Sequence, residues 1–181
     1  MNKKYLPVTI LLTSLFFGGC LVGHKITYEI KLDKSKKGTA TVTYSDIRSD
    51  AQTEQEFLED QKNLFDYMAK SPKFIKDRKA EGMDVVSRNL KIADNKLNGT
   101  VVYNFSKLTS VENLSYESGF YFITLALDDS VVTTNGEIIK SHNYKRILWD
   151  ETATTLKFEI LTEPSAGTKL RPMAAMYKPG K

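Results

Sequence analysis

The side chains able to do chemistry are few: one thiol, two imidazoles, one pair of adjacent aspartates after an apolar run and one dense run of cations. The thiol is Cys20, directly after Gly18-Gly19 and the apolar run from Val8 to Phe17. A lone cysteine rules out a disulfide within the chain, which leaves a buried thiol packed as a small hydrophobe or a point of covalent attachment. His24 and His142 have no partner at metal-ligand or triad spacing and read as surface histidines. Asp128-Asp129 follows an apolar strand, a place that hosts carboxylate sites, yet a turn-forming acidic pair is the better reading. Lys70, Lys73, Lys76, Arg78 and Lys79 form the densest basic run. Its plain reading is a solvated helix face; its sharper one is contact of Lys73, Lys76 and Lys79 with anionic lipid head groups, worth about 1 kcal/mol per cation. Gly-x-Ser-x-Gly, His-Glu-x-x-His, phosphate-binding loops and Cys-x-x-Cys do not occur. The inventory therefore calls for no catalytic residue, metal or cofactor.

Cys20 gains meaning from what precedes it. Lys3 and Lys4 give a positive start, Val8 to Phe17 an apolar core of about ten residues, and Gly18-Gly19 the small residues that a signal peptidase needs. A spanning helix needs roughly 20 apolar residues, and this run carries Pro7 at one end and paired glycines at the other. The triplet Phe17-Gly18-Gly19 before Cys20 resembles the lipobox of bacterial lipoproteins, with Phe17 where leucine is usual. The resemblance implies cleavage before Cys20, lipidation of its sulfur with diacylglycerol and an N-acyl group such as palmitate, and a cell-envelope location. Two or three acyl chains make a durable anchor where one gives marginal binding. In a Gram-negative host, Leu21 in place of the aspartate that retains lipoproteins at the inner membrane implies delivery to the outer membrane, facing the periplasm or the surface. The sequons at Asn98, Asn104 and Asn113 would matter only in a eukaryotic secreted chain.

Removing residues 1–19 from the 181 leaves 162, the size of one domain with a real core. The formal charge of +4 falls by two once Lys3 and Lys4 leave, so the basic balance is no footprint of nucleic acid. The expected organisation is a signal peptide over 1–19, a lipidated tether over 20–24, one domain over 25–162 and a loop-like tail over 163–181. A tether of that length reaches at most ~3.6 Å per residue, which holds the domain within about 20 Å of the head groups.

Period-two alternation through Ile26, Tyr28, Ile30 and Leu32, then Ala40, Val42 and Tyr44, predicts a hairpin. Thr53 and Glu56 form a capping box, and Phe57, Leu58, Gln61, Leu64, Phe65 and Met68 predict one helix face, with Glu59, Asp60, Lys62, Asn63 and Asp66 mostly opposite. Ser71-Pro72 starts a short second helix that Gly82 closes. Val86, Leu90 and Ile92, the turn Asp94-Asn95, and Leu97 to Phe105 predict a second hairpin. Phe120 to Leu127 is apolar on both faces, which predicts the central strand of the sheet. Asn135-Gly136, between Val131-Val132-Thr133 and Glu137-Ile138-Ile139, predicts a third hairpin. Ile147 to Trp149 and Leu156 to Ile160 supply two more strands, and Met173 to Tyr177 a turn of helix.

Hairpin, helix, hairpin and meander give an α+β fold: an antiparallel sheet with one main and one short helix on one face. This order, with Phe105-Ser106 closing a strand before a polar segment that bears Leu114, is similar to the mycobacterial LppM-type lipoprotein domain; the likeness implies an envelope protein with a capacity for lipid binding. The function expected is a membrane-anchored, non-catalytic module that binds a lipid, a glycan or a protein. The alternatives are a structural or assembly subunit of an envelope complex and, behind it, a hydrolase without a recognisable motif. A pocket of a few hundred Å³ between helix and sheet would favour a small ligand, and a flat apolar patch a protein partner.

Overall fold

The structure is a computed structural model and describes residues 21–127, 129–162 and 168–179. The fold is α+β with antiparallel sheets. Its larger sheet is built on a long hairpin, β1 (Leu21–Leu32) with β2 (Gly38–Ser49). Asp33 Oδ1 accepts from the backbone N–H of Ser35 and Lys37 to shape the turn. At Gly38 a Cβ would lie 1.8 Å from the Lys31 carbonyl oxygen, so only glycine fits where the strands close. A second hairpin, β3 (Met83–Ala93) with β4 (Lys96–Phe105), turns through Asp94 and Asn95, both at positive φ, and pairs with β2 through β4. On the other side β10 (Thr155–Leu161) pairs with β1, and β7 (Ser130–Thr134) with β10.

Register puts one face of this sheet inside. Ile26, Tyr28 and Ile30 lie opposite Tyr44, Val42 and Ala40 on β2 and opposite Ile160, Phe158 and Leu156 on β10, and all nine are buried. The outer face carries Thr27, Thr39, Thr41, Thr43, Thr100 and Asn104, with the ion pairs Lys25–Glu159 and Lys157–Glu29. Two structures share the inner face. One is helical: α1 (Glu54–Gln61), running on as a π-helical segment over Lys62–Met68, and α2 (Pro72–Ala80). The other is a four-stranded sheet of β5 (Ser115–Glu117), β6 (Phe120–Leu125), β9 (Lys145–Asp150) and β8 (Glu137–Lys140), docked through Trp149 on Phe158, whose ring stacks on Tyr28 at 4.4 Å.

Several expectations need correction. Residues 21–24, expected as part of a tether, belong to β1: Leu21 is buried and pairs with Ser49, and Val22 with Arg48, because apolar Leu21 and Val22 extend the alternation of the strand. The strand from Phe120 is central only in the small sheet, and Phe120 is 44% exposed; Arg146, 4.6 Å from the ring centre of Phe122, covers part of its outward face in place of a second layer. Asn135-Gly136 turns no hairpin, since β7 joins one sheet and β8 the other. Asn135 Oδ1 accepts from Trp149 Nε1 at 2.8 Å and from the Lys157 N–H at 2.7 Å, so the residue pins the crossover between sheets. In α1, Leu58 is 44% exposed while Asp60 is buried, because Asp60 accepts a 2.6 Å bond from the Ser49 hydroxyl and so belongs to the sheet-facing side. The tail, expected to be loop-like, contributes to the fold over its described residues. Residues 163–167 lie outside the described residues, but β11 (Arg171–Pro172) pairs with β2, Met173 is buried, and the expected helical turn is a 3₁₀ turn over Ala174–Met176.

Candidate functional site

A cleft opens between the π-helical segment, the edge strand β3 and the C-terminal turn. Its floor follows from a fault in register. Pairing of β3 with β4 shifts between Val85 and Ser87, which leaves Val86 bulged outward at 62% exposure. Met83 and Val85 face inward before the bulge; after it, inward parity changes to Arg88, Leu90 and Ile92, opposite Val101, Gly99 and Leu97. The bulge therefore turns an arginine under the helices. Arg88 Nη1 donates to the carbonyls of Met68 at 2.7 Å and Ser71 at 3.0 Å, where the helical segment ends and its carbonyls lack helical partners. Its guanidinium stands 5.4 Å from the ring centre of Phe74. Burial pulls Arg88 below the usual arginine range without taking its charge.

The π-helical turn sets the other wall. The Ala69 N–H reaches five residues back to the Leu64 carbonyl at 3.0 Å, a widened turn of the kind that recurs at binding sites. Leu64, Met68 and Ala69 face Tyr44, Ile47, Leu90 and Val101 across a small apolar space of about 60 Å³. This opens into an outer groove of about 240 Å³ lined by Phe65, Lys70, Arg88, Asn89, Leu90, Met176, Tyr177 and Lys178. Tyr177 fixes the outer lip by donating from its hydroxyl to the Leu90 carbonyl at 2.9 Å, with its ring 5.7 Å from that of Phe65. Three cations, Arg88, Lys70 and Lys178, line the two spaces, and none of the lining residues is acidic. The cleft is thus apolar within and cationic at its mouth.

Its height is fixed by register. Ile47 pairs with Gly23, while Arg88, Val101, Val42 and Tyr28 follow one another across the strands, so the cleft runs from two to seven residues along β1 from Leu21, about 7–23 Å, with Ile47 at the near end and Arg88 at the far end. The lysines of α2 do not belong to that end. Lys79 pairs with Asp84 at 3.4 Å, and Asp84, Asn104, Thr39 and Lys31 follow one another across the strands, so Lys79 lies roughly 33 Å along the sheet from Leu21. Lys73 is held at 2.5 Å by Asp77, which leaves Lys76 as the member of the set without a carboxylate partner among the described residues. The structure thus sets Lys79 far along the sheet from Leu21 and pairs Lys73 and Lys79 with carboxylates.

Cys20 and Asp128 lie outside the described residues. Asp129 closes a turn, its carboxylate accepting from the Ala126 N–H at 2.8 Å, and buried Lys145 donates to the Asp129 carbonyl. His24 and His142 are exposed, and among the described residues no group of three or more potential ligands could hold a metal. The polar segment after β4 contributes a second cluster. Glu112, at φ 44° between buried Val111 and Leu114, accepts from the Tyr28 phenol, and burial raises Tyr28, Tyr44 and Tyr103, with the Glu112 charge adding to each. Neutral phenols over a carboxylate hold the core together and offer no nucleophile. Arg88 and Tyr177 are the site residues that sequence reasoning passed over; the one trace of Arg88 was the missing apolar residue between Val86 and Leu90.

No family model matches the chain, and neither a curated protein nor a solved structure does.

Proposed function

We propose that the chain is an exported cell-envelope protein anchored through lipid on Cys20, and that its folded part is a non-catalytic binding module with the cleft at Arg88 as its ligand site. The observation that carries this reading is an apolar cleft, cationic at its mouth and without a lining acid, set at the end of the sheet where the chain leaves Cys20. Because β1 begins at Leu21, anchoring at Cys20 would place that end against the bilayer with no tether between.

Anchoring is tested by Cys20→Ser, which should give an uncleaved or mislocalised precursor that takes up no labelled palmitate; a normally processed, membrane-bound variant would refute it. Ligand binding is tested by native mass spectrometry of protein extracted gently from its membrane, where a retained small-molecule mass is expected from the wild type and is lost in Leu90→Trp. A second reading, as an assembly subunit, draws on β8, an edge strand exposed throughout with Ile138 and Ile139 on it.

A further inference from the structure

We infer that the cleft takes a single-chain amphiphile with a carboxylate head, of the fatty-acid type, with the head on Arg88 and the chain running over Leu90 and Met68 toward Ile47. The inference rests on the cleft being a ligand site and adds the chemistry of what enters it.

Arg88 decides the head. Its Nη1 is held by the Met68 and Ser71 carbonyls, and these two bonds fix the plane of the guanidinium. The remaining edge, Nε with Nη2, bonds to no described residue and belongs to a side chain that lines both the small apolar space and the adjoining groove. Two parallel N–H donors in a fixed plane match the two oxygens of a carboxylate. Lys70 and Lys178 stand on the same groove, and none of the residues that line it is acidic. A cationic head would meet only repulsion there, and a neutral head would leave the half-desolvated guanidinium without a counter-charge.

The floor and the volumes decide the tail. Leu64, Met68, Leu90, Ile47 and Val101 offer apolar surface without a buried acceptor for a sugar or a peptide. About 60 Å³ over the apolar floor and about 240 Å³ in the adjoining groove lie together at the low end of ligand pockets, enough for one short or medium acyl chain and too little for a two-chain lipid to enter whole. Position supplies the source, since a cleft whose apolar end at Ile47 lies about 7 Å along β1 from Leu21, with Arg88 at about 23 Å, would open toward the bilayer in which such amphiphiles collect.

The test uses the full chain in a non-ionic detergent, with a fluorescent dansyl fatty acid as probe and native mass spectrometry as a second readout. Laurate should displace the probe at a concentration at least tenfold below dodecanol, and dodecylamine should not displace it. Potency should rise about fourfold per added methylene until the groove is filled. Arg88→Lys, which keeps the charge and loses the fork, should weaken laurate tenfold or more and leave dodecanol unchanged. Because Arg88 also holds the helix end, Lys178→Glu serves as a variant on an exposed side chain and should weaken laurate severalfold with unchanged circular dichroism. Equal potency of laurate and dodecanol, both abolished by Leu90→Trp, would overturn the carboxylate while keeping the cleft as an apolar site. Absence of any probe binding or ligand adduct would overturn both the inference and the ligand site beneath it.

Discussion

The Tyr28 phenol donates a 2.6 Å hydrogen bond to Oε1 of Glu112, across 84 residues of chain. Tyr28 is on β1 at the middle of the larger sheet, and Glu112 is on the irregular segment after β4 that plugs the core with Val111 and Leu114. Register makes room for the bond: Val42 faces Tyr28 and Ala40 faces Tyr103, so the small β2 side chains leave space between two large rings.

Tyr28→Phe should keep the stack on Phe158 and cost about 1–3 kcal/mol, the penalty for leaving a partly buried carboxylate without its donor. Burial, and then the Glu112 charge, raise the folded-state pKa of Tyr28, Tyr44 and Tyr103. A raised folded value means that stability is complete below the ordinary tyrosine value near 10 and is lost as pH climbs above it. A tyrosinate absorbance titration should show these phenols ionising together with unfolding. Independent, reversible ionisation of all the tyrosines near their ordinary value would contradict the cluster.

Leu64→Ala should cost about 2–5 kcal/mol in urea unfolding, because Leu64 is buried between the π-helical turn and the sheet. Leu58→Ala is the control and should change stability by less than about 0.5 kcal/mol. If the two variants lose equally, the inward face of the helix is other than the one that Phe57, Asp60 and Leu64 define.

Gly38→Ala should destabilise by on the order of 3 kcal/mol, since its new Cβ would meet a backbone oxygen that cannot give way. A melting temperature within a degree or two of the wild type would show that β1 and β2 close differently at Leu32 and Gly38.

These positions also show what the sequence could reveal. Alternation in Ile26 to Leu32, Leu97 to Phe105 and Leu156 to Ile160 marked true inward faces, and Thr53 with Glu56 marked a true helix start, because each is a local rule obeyed locally. The misreadings come where a distant partner overrides the local signal. Asn135-Gly136 has hairpin chemistry, but its side chain is captured by Trp149 and the Lys157 N–H, both reached only once two sheets exist. The bulge at Val86 turns that residue outward although it shares the parity of Leu90 and Ile92, so the period of two misplaced Val86 and left Arg88 marked only by a polar residue where an apolar one was due. Asp60 looked like a solvent residue because Ser49, its partner, lies in a strand whose end abuts the helix only after folding.

The last prediction concerns which surface meets the bilayer. If Cys20 carries the anchor, the strand that starts at Leu21 fixes orientation, and the level of Gly23 comes down first. Lys96, just before Leu97 on β4 and past the pairing of Gly99 with Tyr44, is exposed at that end, and Lys25 is half-exposed close by. The α2 lysines lie higher, with Lys79 roughly 33 Å along the sheet. Their attraction to anionic head groups would fade over a Debye length of about 8–10 Å at physiological salt. Amine-reactive labelling of the lipidated protein on anionic vesicles, compared with the same protein in detergent and read peptide by peptide, should therefore show Lys96 and Lys25 protected by the membrane. Lys73, Lys76 and Lys79 should label equally in both. Protection of the three α2 lysines, with Lys96 left reactive, would mean that the domain lies on its helical side and would restore the basic helix as the membrane-contacting surface.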